Sequence, residues 1–280
     1  MQKTSTSVTQ VYDSGSIRFQ WLYELKQVFR YRYLVQNLVS RDLKVRYKRS
    51  AIGFIWVMLN PLLTMLIATF VFSQIIRVQQ KDFPTYALAG VLLFNVFAQG
   101  TTAAMSNLTG NGPILSRLYI PPSVYVLSAI GSALVNFFYA LVPLAVIILI
   151  VDQIRPSLFW LLTIIPIAEI TLLSTGIGLI VSASMVYFRD TFEIYAVLIT
   201  FLNYLTPLFY PFSALKVSQL INAEQFNPLF VIIDTFRSII IYSQLPSTQE
   251  LIVGVSFAFV SILIGWLVFV RLELGFPYQF

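Results

Sequence analysis

The fold class is decided by residues 123–151, which read SVYVLSAIGSALVNFFYALVPLAVIILIV and contain no charged side chain. About 20 apolar residues in a helix are enough to cross the hydrocarbon core of a bilayer. The stretch therefore predicts a transmembrane helix. The same criterion predicts five further spans, which gives six in all, over residues 52–76, 85–105, 158–186, 192–210 and 251–270.

The composition of the chain supports this interpretation. Of 280 residues, 58% are hydrophobic and only 11% are charged, and the mean hydropathy is +0.79. A soluble domain needs about 25% charged residues to cover its surface, so lipid must replace water over most of this protein. The sequence predicts an all-α integral membrane protein.

The segment that precedes the first span is basic and rich in aromatic residues. Over residues 17–50 its apolar side chains recur at helical spacing, which predicts one or two amphipathic helices lying in the membrane interface. A generic basic anchor beside the membrane is the alternative. The predicted domains are a cytoplasmic segment over residues 1–51, a transmembrane domain over 52–271 and a short cytoplasmic tail over 272–280.

The distribution of positive charge predicts the topology. If the N-terminus is cytoplasmic, six spans place every basic residue up to Arg49, together with Arg117, Arg189 and Arg271, on the cytoplasmic side. The basic residues left outside are matched by acidic ones, as the positive-inside rule requires. We therefore expect both termini in the cytoplasm, and the net charge of +6 needs no nucleic-acid partner.

The stretch between the last two predicted spans is unusual. Over residues 206–246 the apolar runs are broken by prolines and by polar residues such as Asp234 and Arg237. Broken helices persist at membrane depth only where protein or water satisfies their backbone groups. The pattern predicts a pair of short re-entrant helices, and a seventh span is the alternative.

Most catalytic chemistry is excluded by residue type. The sequence contains no cysteine, no histidine and no G-x-x-x-x-G-K-[ST] motif for nucleotide phosphates,. Glu169 is the one ionisable residue deep in a predicted span, where a charge is costly and must face protein or water. It is either a polar point on a transport path or a protonated carboxyl group that stabilises helix packing. We predict no enzymatic activity and no metal or cofactor bound by this chain.

Several motifs occur in a distinctive order. Residues 41–62 read RDLKVRYKRSAIGFIWVMLNPL, and residues 107–111 (NLTGN), 187–190 (YFRD) and 206–211 (TPLFYP) follow. They resemble the motifs of permease subunits of ABC transporters that export polysaccharides such as O-antigens, capsules and teichoic acids. One departure is the single arginine, Arg271, where the family often has a pair.

This resemblance implies a function and a set of partners. The protein is expected to be the transmembrane subunit of an ATP-driven exporter in the bacterial cytoplasmic membrane. It would form a homodimer with a central pore, bind two ATPase subunits that hold ATP and Mg²⁺, and move a lipid-linked polysaccharide. The residues implied in coupling to the ATPase are Arg41, Asp42, Arg46, Asn107, Gly110, Asn111, Ile114, Leu115, Arg117, Arg189 and Asp190.

A sugar polymer needs a wet path with aromatic faces and with amides or hydroxyls. The candidate path residues are Trp56, Asn60, Phe94, Asn95, Phe97, Gln99, Asn136, Tyr139, Glu169, Asn203, Tyr204, Phe209 and Tyr210. Two alternative functions remain open. One is a permease of the same architecture for a small hydrophobic drug or lipid, and the other is a membrane-embedded transferase of lipid-linked sugars.

Overall fold

The structure, a computed structural model, describes residues 20–48, 50–75, 82–115, 120–209, 227–276 and 279. The described residues form helices joined by turns and irregular backbone, with no strand among them. The α-helices are α1 (Gln20–Arg30), α2 (Arg32–Tyr47), α3 (Trp56–Thr69), α4 (Phe83–Gly110), α5 (Gly112–Leu115), α6 (Ser123–Val146), α7 (Ile164–Tyr187), α8 (Thr191–Leu205), α9 (Pro228–Ile240) and α10 (Thr248–Glu273).

Five helical segments in the described part of the chain are long and apolar enough to cross a membrane. They are Gly53–Ser73, Phe83–Gly110, Ser123–Val151, Leu158–Tyr187 and Thr248–Glu273. Each corresponds to one of the six predicted spans, so the all-helical membrane class is confirmed, with five candidate spans by length and composition.

The fifth predicted span in chain order, over residues 192–210, is not confirmed. Its helix, α8, contains 15 residues and is therefore about 22 Å long, which is shorter than the ~30 Å hydrocarbon core. The helix ends before Pro207 because a proline disfavours helical backbone at the preceding residue. Thr206 accordingly has extended backbone, with φ −84° and ψ 123°.

The core is built around α4, which packs against α6 and α7, while α7 also packs along α10. The α7–α10 contact is very close because glycines line it. A Cβ atom added to Gly265 would lie 2.2 Å from the carbonyl oxygen of Gly176, and one added to Gly176 would lie 2.3 Å from the backbone of Ser261. Small residues allow helices in lipid to approach closely and gain dispersion energy.

The basic N-terminal segment forms two helices that pack on one end of the bundle, which we call the basic end. Glu24 of α1 accepts a hydrogen bond of 2.6 Å from the hydroxyl of Ser123, the first residue of α6. Leu38 of α2 is buried against Val124 and Tyr125. The two helices agree with the prediction of one or two, and their place in the membrane interface stays a prediction.

The opposite end of the bundle is organised by Arg237 of α9, whose side chain is fully buried. Its guanidinium donates hydrogen bonds to the carbonyl oxygens of Tyr86, Pro207 and Leu208, at 3.2, 3.0 and 2.8 Å. It also stacks on the Tyr86 ring, 3.6 Å from the centroid. Two of these bonds satisfy the carbonyl groups of Pro207 and Leu208, which follow the end of α8, and the third ties the start of α4 to α9,.

The predicted pair of re-entrant helices is not confirmed. One 13-residue helix, α9, occupies part of this region and begins at Pro228, where the side chain of Asn227 accepts from the backbone of Leu229 and Phe230. The other helix would fall on the apolar run over residues 205–215. The backbone leaves the helix at Thr206, and residues 210–215 lie outside the described residues.

Candidate functional site

A cavity of about 330 Å³ opens between α2, α3, α4 and α6. Its size lies in the range of small-ligand pockets. Polar and aromatic side chains dominate its wall, together with smaller apolar residues. The polar and aromatic lining comprises Arg46, Trp56, Asn60, Asn95, Gln99, Asn136 and Phe137.

The helical repeat explains why these side chains share one cavity. Trp56 and Asn60 are four residues apart on α3, and Asn95 and Gln99 are four apart on α4, so each pair lies on one helix face. Asn136 faces them from the middle of α6. The result is a group of four amides on the wall of one cavity.

These amides provide unused hydrogen-bonding capacity. Each carries two N–H donors and a carbonyl acceptor. The carbonyl oxygen of Asn136 is buried and has no hydrogen-bond partner among the described residues. A buried polar atom without a partner costs free energy, so the cavity is suited to water or to a ligand rich in hydroxyl groups.

The structure brings five predicted path residues together in this cavity, namely Trp56, Asn60, Asn95, Gln99 and Asn136. Phe94 and Phe97 are instead buried in the hydrophobic core, each with 4% of its surface exposed. Their position on α4 turns them away from the cavity wall.

The remaining aromatic and amide candidates are dispersed. Tyr139 is exposed and packs edge-on against Phe54, while Phe209 stacks on Phe72. Tyr204 lines a shallow groove along α8. Asn203 is half-buried on the same helix, and Tyr210 lies outside the described residues.

Glu169 lies between α7 and α10 and does not line the cavity. A Cβ atom added to Gly254 would be 2.8 Å from its Oε2 atom, so only glycine leaves room for the carboxyl group. The side chain is 3% exposed, and neither oxygen has a hydrogen-bond partner in the described part of the chain. The structure thus separates Glu169 from the other path candidates.

Part of the predicted coupling set also comes together. A second depression, of about 430 Å³, adjoins the basic end and is lined by Arg41, Asp42, Arg46 and Asn107, among others. The carboxylate of Asp42 accepts a 3.0 Å hydrogen bond from the Asn107 side chain and pairs with Arg41 at 3.2 Å. This contact joins α2 to the last turn of α4.

Four more coupling candidates lie in residues 110–115, which comprise the last residue of α4, Asn111 and α5, and which we call the turn after α4. The Asn111 side chain donates a 2.7 Å hydrogen bond to the carbonyl oxygen of Asn107. Leu115 packs against the cluster formed by α2 and the start of α6. Gly110 and Ile114 are exposed.

Three coupling candidates are not joined to this group. Arg117 lies outside the described residues. Arg189 and Asp190 are exposed in the turn between α7 and α8, and no described hydrogen bond links them to Asp42 or Asn107.

Two contacts that hold the helices together are not predicted from the sequence. The first is that of Arg237, although an isolated arginine within an apolar stretch is itself a signal of a buried partner. The second is that of Glu24 with Ser123. Its position on the apolar face of α1 was the available sign that it contacts the bundle.

The burial of Glu24 makes the docking of α1 dependent on pH. Burial is the larger effect and raises the pKa of Glu24 above its ordinary value of 4.5, while the Ser123 hydrogen bond opposes it. The contribution of Glu24 is therefore most favourable below the unfolded pKa and is lost as pH rises through the folded pKa.

We expect the thermal unfolding midpoint of the detergent-solubilised protein to fall as pH rises from about 4.5 through that folded value. Glu24→Gln should flatten this dependence because it keeps a hydrogen-bond acceptor for Ser123 and removes the ionisation. Glu193→Gln, which changes an exposed carboxylate on α8, is the control and should leave the slope unchanged. An identical slope in Glu24→Gln would contradict the prediction.

Together, the spans, the basic end and the amide-lined cavity define an integral membrane permease. The chain belongs to the ABC-2 type transporter family, whose model matches residues 33–241.

Curated relatives cover most of the chain. The O-antigen export system permease protein RfbA of Klebsiella pneumoniae is 30% identical over 259 residues, which is 90% of this chain and 98% of the relative. RfbA of Myxococcus xanthus is 28% identical over 245 residues, 86% and 92% of the two chains. The polysialic acid transport protein KpsM of Escherichia coli is 19% identical over 233 residues, 82% and 90% of the two chains.

Proposed function

We propose that this protein is the transmembrane subunit of an ATP-driven exporter of a lipid-linked cell-surface polysaccharide. The observation that carries the proposal is the cavity with four amides and Trp56. Amides match the hydroxyl groups of a glycan, and an indole face matches its C–H surface. The similarity to permeases named for O-antigen export and polysialic acid transport supports the same substrate class.

Within this proposal two copies of the chain form the pore, each with six membrane-crossing segments and both termini in the cytoplasm. In one copy, α8 buries only Tyr195 and exposes Ile194, Val197, Phe201 and Tyr204. An apolar helix that makes so little contact with its own chain is suited to packing against a second copy. The α8 helix, together with Pro207 and Leu208, which bind Arg237, would complete the crossing that is missing from the five candidate spans.

ATP hydrolysis would be supplied by two separate ATPase subunits that bind ATP and Mg²⁺. The contact between Asp42 and Asn107 supports a route for coupling because it joins α2 to the last turn of α4, to which Asn111 of the following turn is hydrogen-bonded. Arg46, one helical turn beyond Asp42, lines the cavity itself. A displacement of the turn would therefore reach the cavity through one rigid helix.

The cavity is tested by replacing its amides with leucine, which has nearly the same shape but no hydrogen-bonding groups. Asn95→Leu and Asn136→Leu should each lower polysaccharide export in cells about 2–10-fold, because each removes hydrogen bonds worth about 0.5–1.5 kcal/mol. Gln244→Leu, an exposed amide outside the cavity, is the matched control. Export equal to that of the control, at equal membrane abundance, would contradict the proposal.

A further inference from the structure

Arg46 occupies a distinctive position in the basic end. It lines both the amide cavity and the adjoining depression that contains Asp42 and Asn107, so the two spaces meet at its side chain. Arg41, five residues earlier on the same helix, is paired with Asp42. Arg46 has no ion pair or hydrogen bond among the described residues.

Arg46 is exposed where the amide cavity and the adjoining depression meet, so an anionic ligand can reach its guanidinium. Arginine cannot lose its charge, and its planar fork of donors fits the oxygens of phosphate in pairs. The described carboxylate nearest along α2, Asp42, already accepts from Arg41 and Asn107. The charge of Arg46 therefore remains available to an anionic ligand.

We propose that Arg46 binds the phosphate or diphosphate linkage that joins a glycan to its lipid carrier. This inference rests on the proposed function and assigns one part of the substrate to one residue. The anion that binds Arg46 is the linkage between the lipid and the sugar. The ligand is therefore a phosphate carried on a lipid, and not free phosphate in the cytoplasm.

The surroundings of Arg46 suit the two other parts of such a substrate. On one side the amides of Asn60, Asn95 and Asn136 extend into the bundle and can bind sugar hydroxyls. On the other side α3 exposes an apolar face that includes Leu66 and Ile67, which are 57% and 65% exposed. An isoprenoid tail can lie along this face while its phosphate remains at Arg46.

The order of Arg46 and the amides along the chain also explains why the anion would bind at the basic end. Arg46 lies on α2, before the first span begins at Gly53, whereas Asn60 is seven residues into that span, about 10 Å along a helix. A phosphate would thus be held near the membrane surface, where desolvation costs least, while the sugar enters the amide cavity.

The binding test uses Trp56 as a reporter, because it lines the same cavity as Arg46. In the full-length purified protein carrying Trp21→Phe, Trp160→Phe and Trp266→Phe, Trp56 is the remaining tryptophan. Its emission is titrated with farnesyl diphosphate, farnesyl monophosphate, farnesol and inorganic diphosphate. We expect saturable binding of the two phosphorylated isoprenoids and much weaker binding of farnesol and of inorganic diphosphate.

Variants at Arg46 decide the assignment. Arg46→Ala should weaken farnesyl diphosphate binding at least about tenfold, and Arg46→Lys should recover part of it, because lysine keeps the charge without the paired geometry. Lys44→Ala removes the same charge from the same helix but from a side chain outside both cavities. It should change the affinity less than about twofold, as expected for a screened surface charge.

Three results would overturn the inference. One is equal weakening by Arg46→Ala and Lys44→Ala, which would indicate only general surface charge. The second is equal binding of farnesol and farnesyl diphosphate, and the third is inorganic diphosphate binding as tightly as the lipid. Any of these could occur while export in cells remains normal, so failure of the inference is distinguishable from failure of the proposed function. Arg46→Lys keeps the test informative if Arg46→Ala does not fold.

Discussion

Arg237→Leu should lower the free energy of unfolding by about 4 kcal/mol or more, because hydrogen bonds from a charged donor contribute about 1.5–3 kcal/mol each. The substitution removes three of them and leaves the carbonyl oxygens of Pro207 and Leu208 without this donor in an apolar region. The measurement is the unfolding midpoint of the purified protein in detergent. A midpoint like that of the unaltered protein would contradict the role of Arg237.

Gly90 provides an independent test of the same contact. A Cβ atom on Gly90 would lie 2.4 Å from the Nη2 atom of Arg237, and this guanidinium is fixed by three hydrogen bonds. We therefore expect Gly90→Ala to destabilise the protein, although alanine is ordinarily the better helix former. Gly110→Ala is the control, since a Cβ atom there has open space.

The two positions should be energetically coupled. Once Arg237 has been replaced by leucine, the clash at Gly90 is relieved, so the double variant should be more stable than the sum of the single effects predicts. Additive effects would indicate that Gly90 and Arg237 act separately.

The transmembrane class could be predicted from the sequence because it depends on a local property. An uninterrupted apolar run such as residues 123–151 must be helical in lipid whatever it packs against, and the observed segment is Ser123–Val151. The amphipathic spacing over residues 17–50 is likewise local, and α1 and α2 occupy it.

Whether the fifth predicted span, over residues 192–210, forms one continuous helix depends on contacts with a distant part of the chain. Hydropathy remains high through Leu208 and Phe209, but the backbone leaves the helix at Thr206. What stabilises this break is a donor some 30 residues further along the chain, Arg237. A hydropathy window centred on α8 does not include Arg237 and therefore cannot predict the break.

The candidate site shows the same difference between local properties, which can be predicted from the sequence, and contacts between distant residues, which cannot. Residue type selected the amides Asn60, Asn95 and Asn136, and the structure places them in one cavity, while their role in a substrate path stays a prediction. It could not separate them from Phe94 and Phe97, because the direction in which a side chain points depends on how the helices are rotated against one another. That rotation is set by contacts between distant parts of the chain, including the glycines between α7 and α10.

Gly110→Trp should reduce polysaccharide export about 5–150-fold while ATP hydrolysis by the assembled transporter continues. This is the range expected when a coupling free energy of about 1–3 kcal/mol is lost. In this chain a side chain at Gly110 meets nothing within 4 Å, so the indole causes no clash within the subunit. Its effect must arise at a surface that another subunit contacts, as proposed for the turn after α4.

The control is Gly110→Ala, which adds a side chain too small to reach far beyond the surface and should export normally. Asp42→Ala is the companion variant, because it removes the contact of α2 with Asn107 without enlarging the turn. If coupling passes from the turn to α2, both Gly110→Trp and Asp42→Ala should uncouple hydrolysis from export. Normal export by Gly110→Trp would remove the turn from the coupling route, and normal export by Asp42→Ala alone would place the route through Leu115, which packs against α2 independently of Asp42.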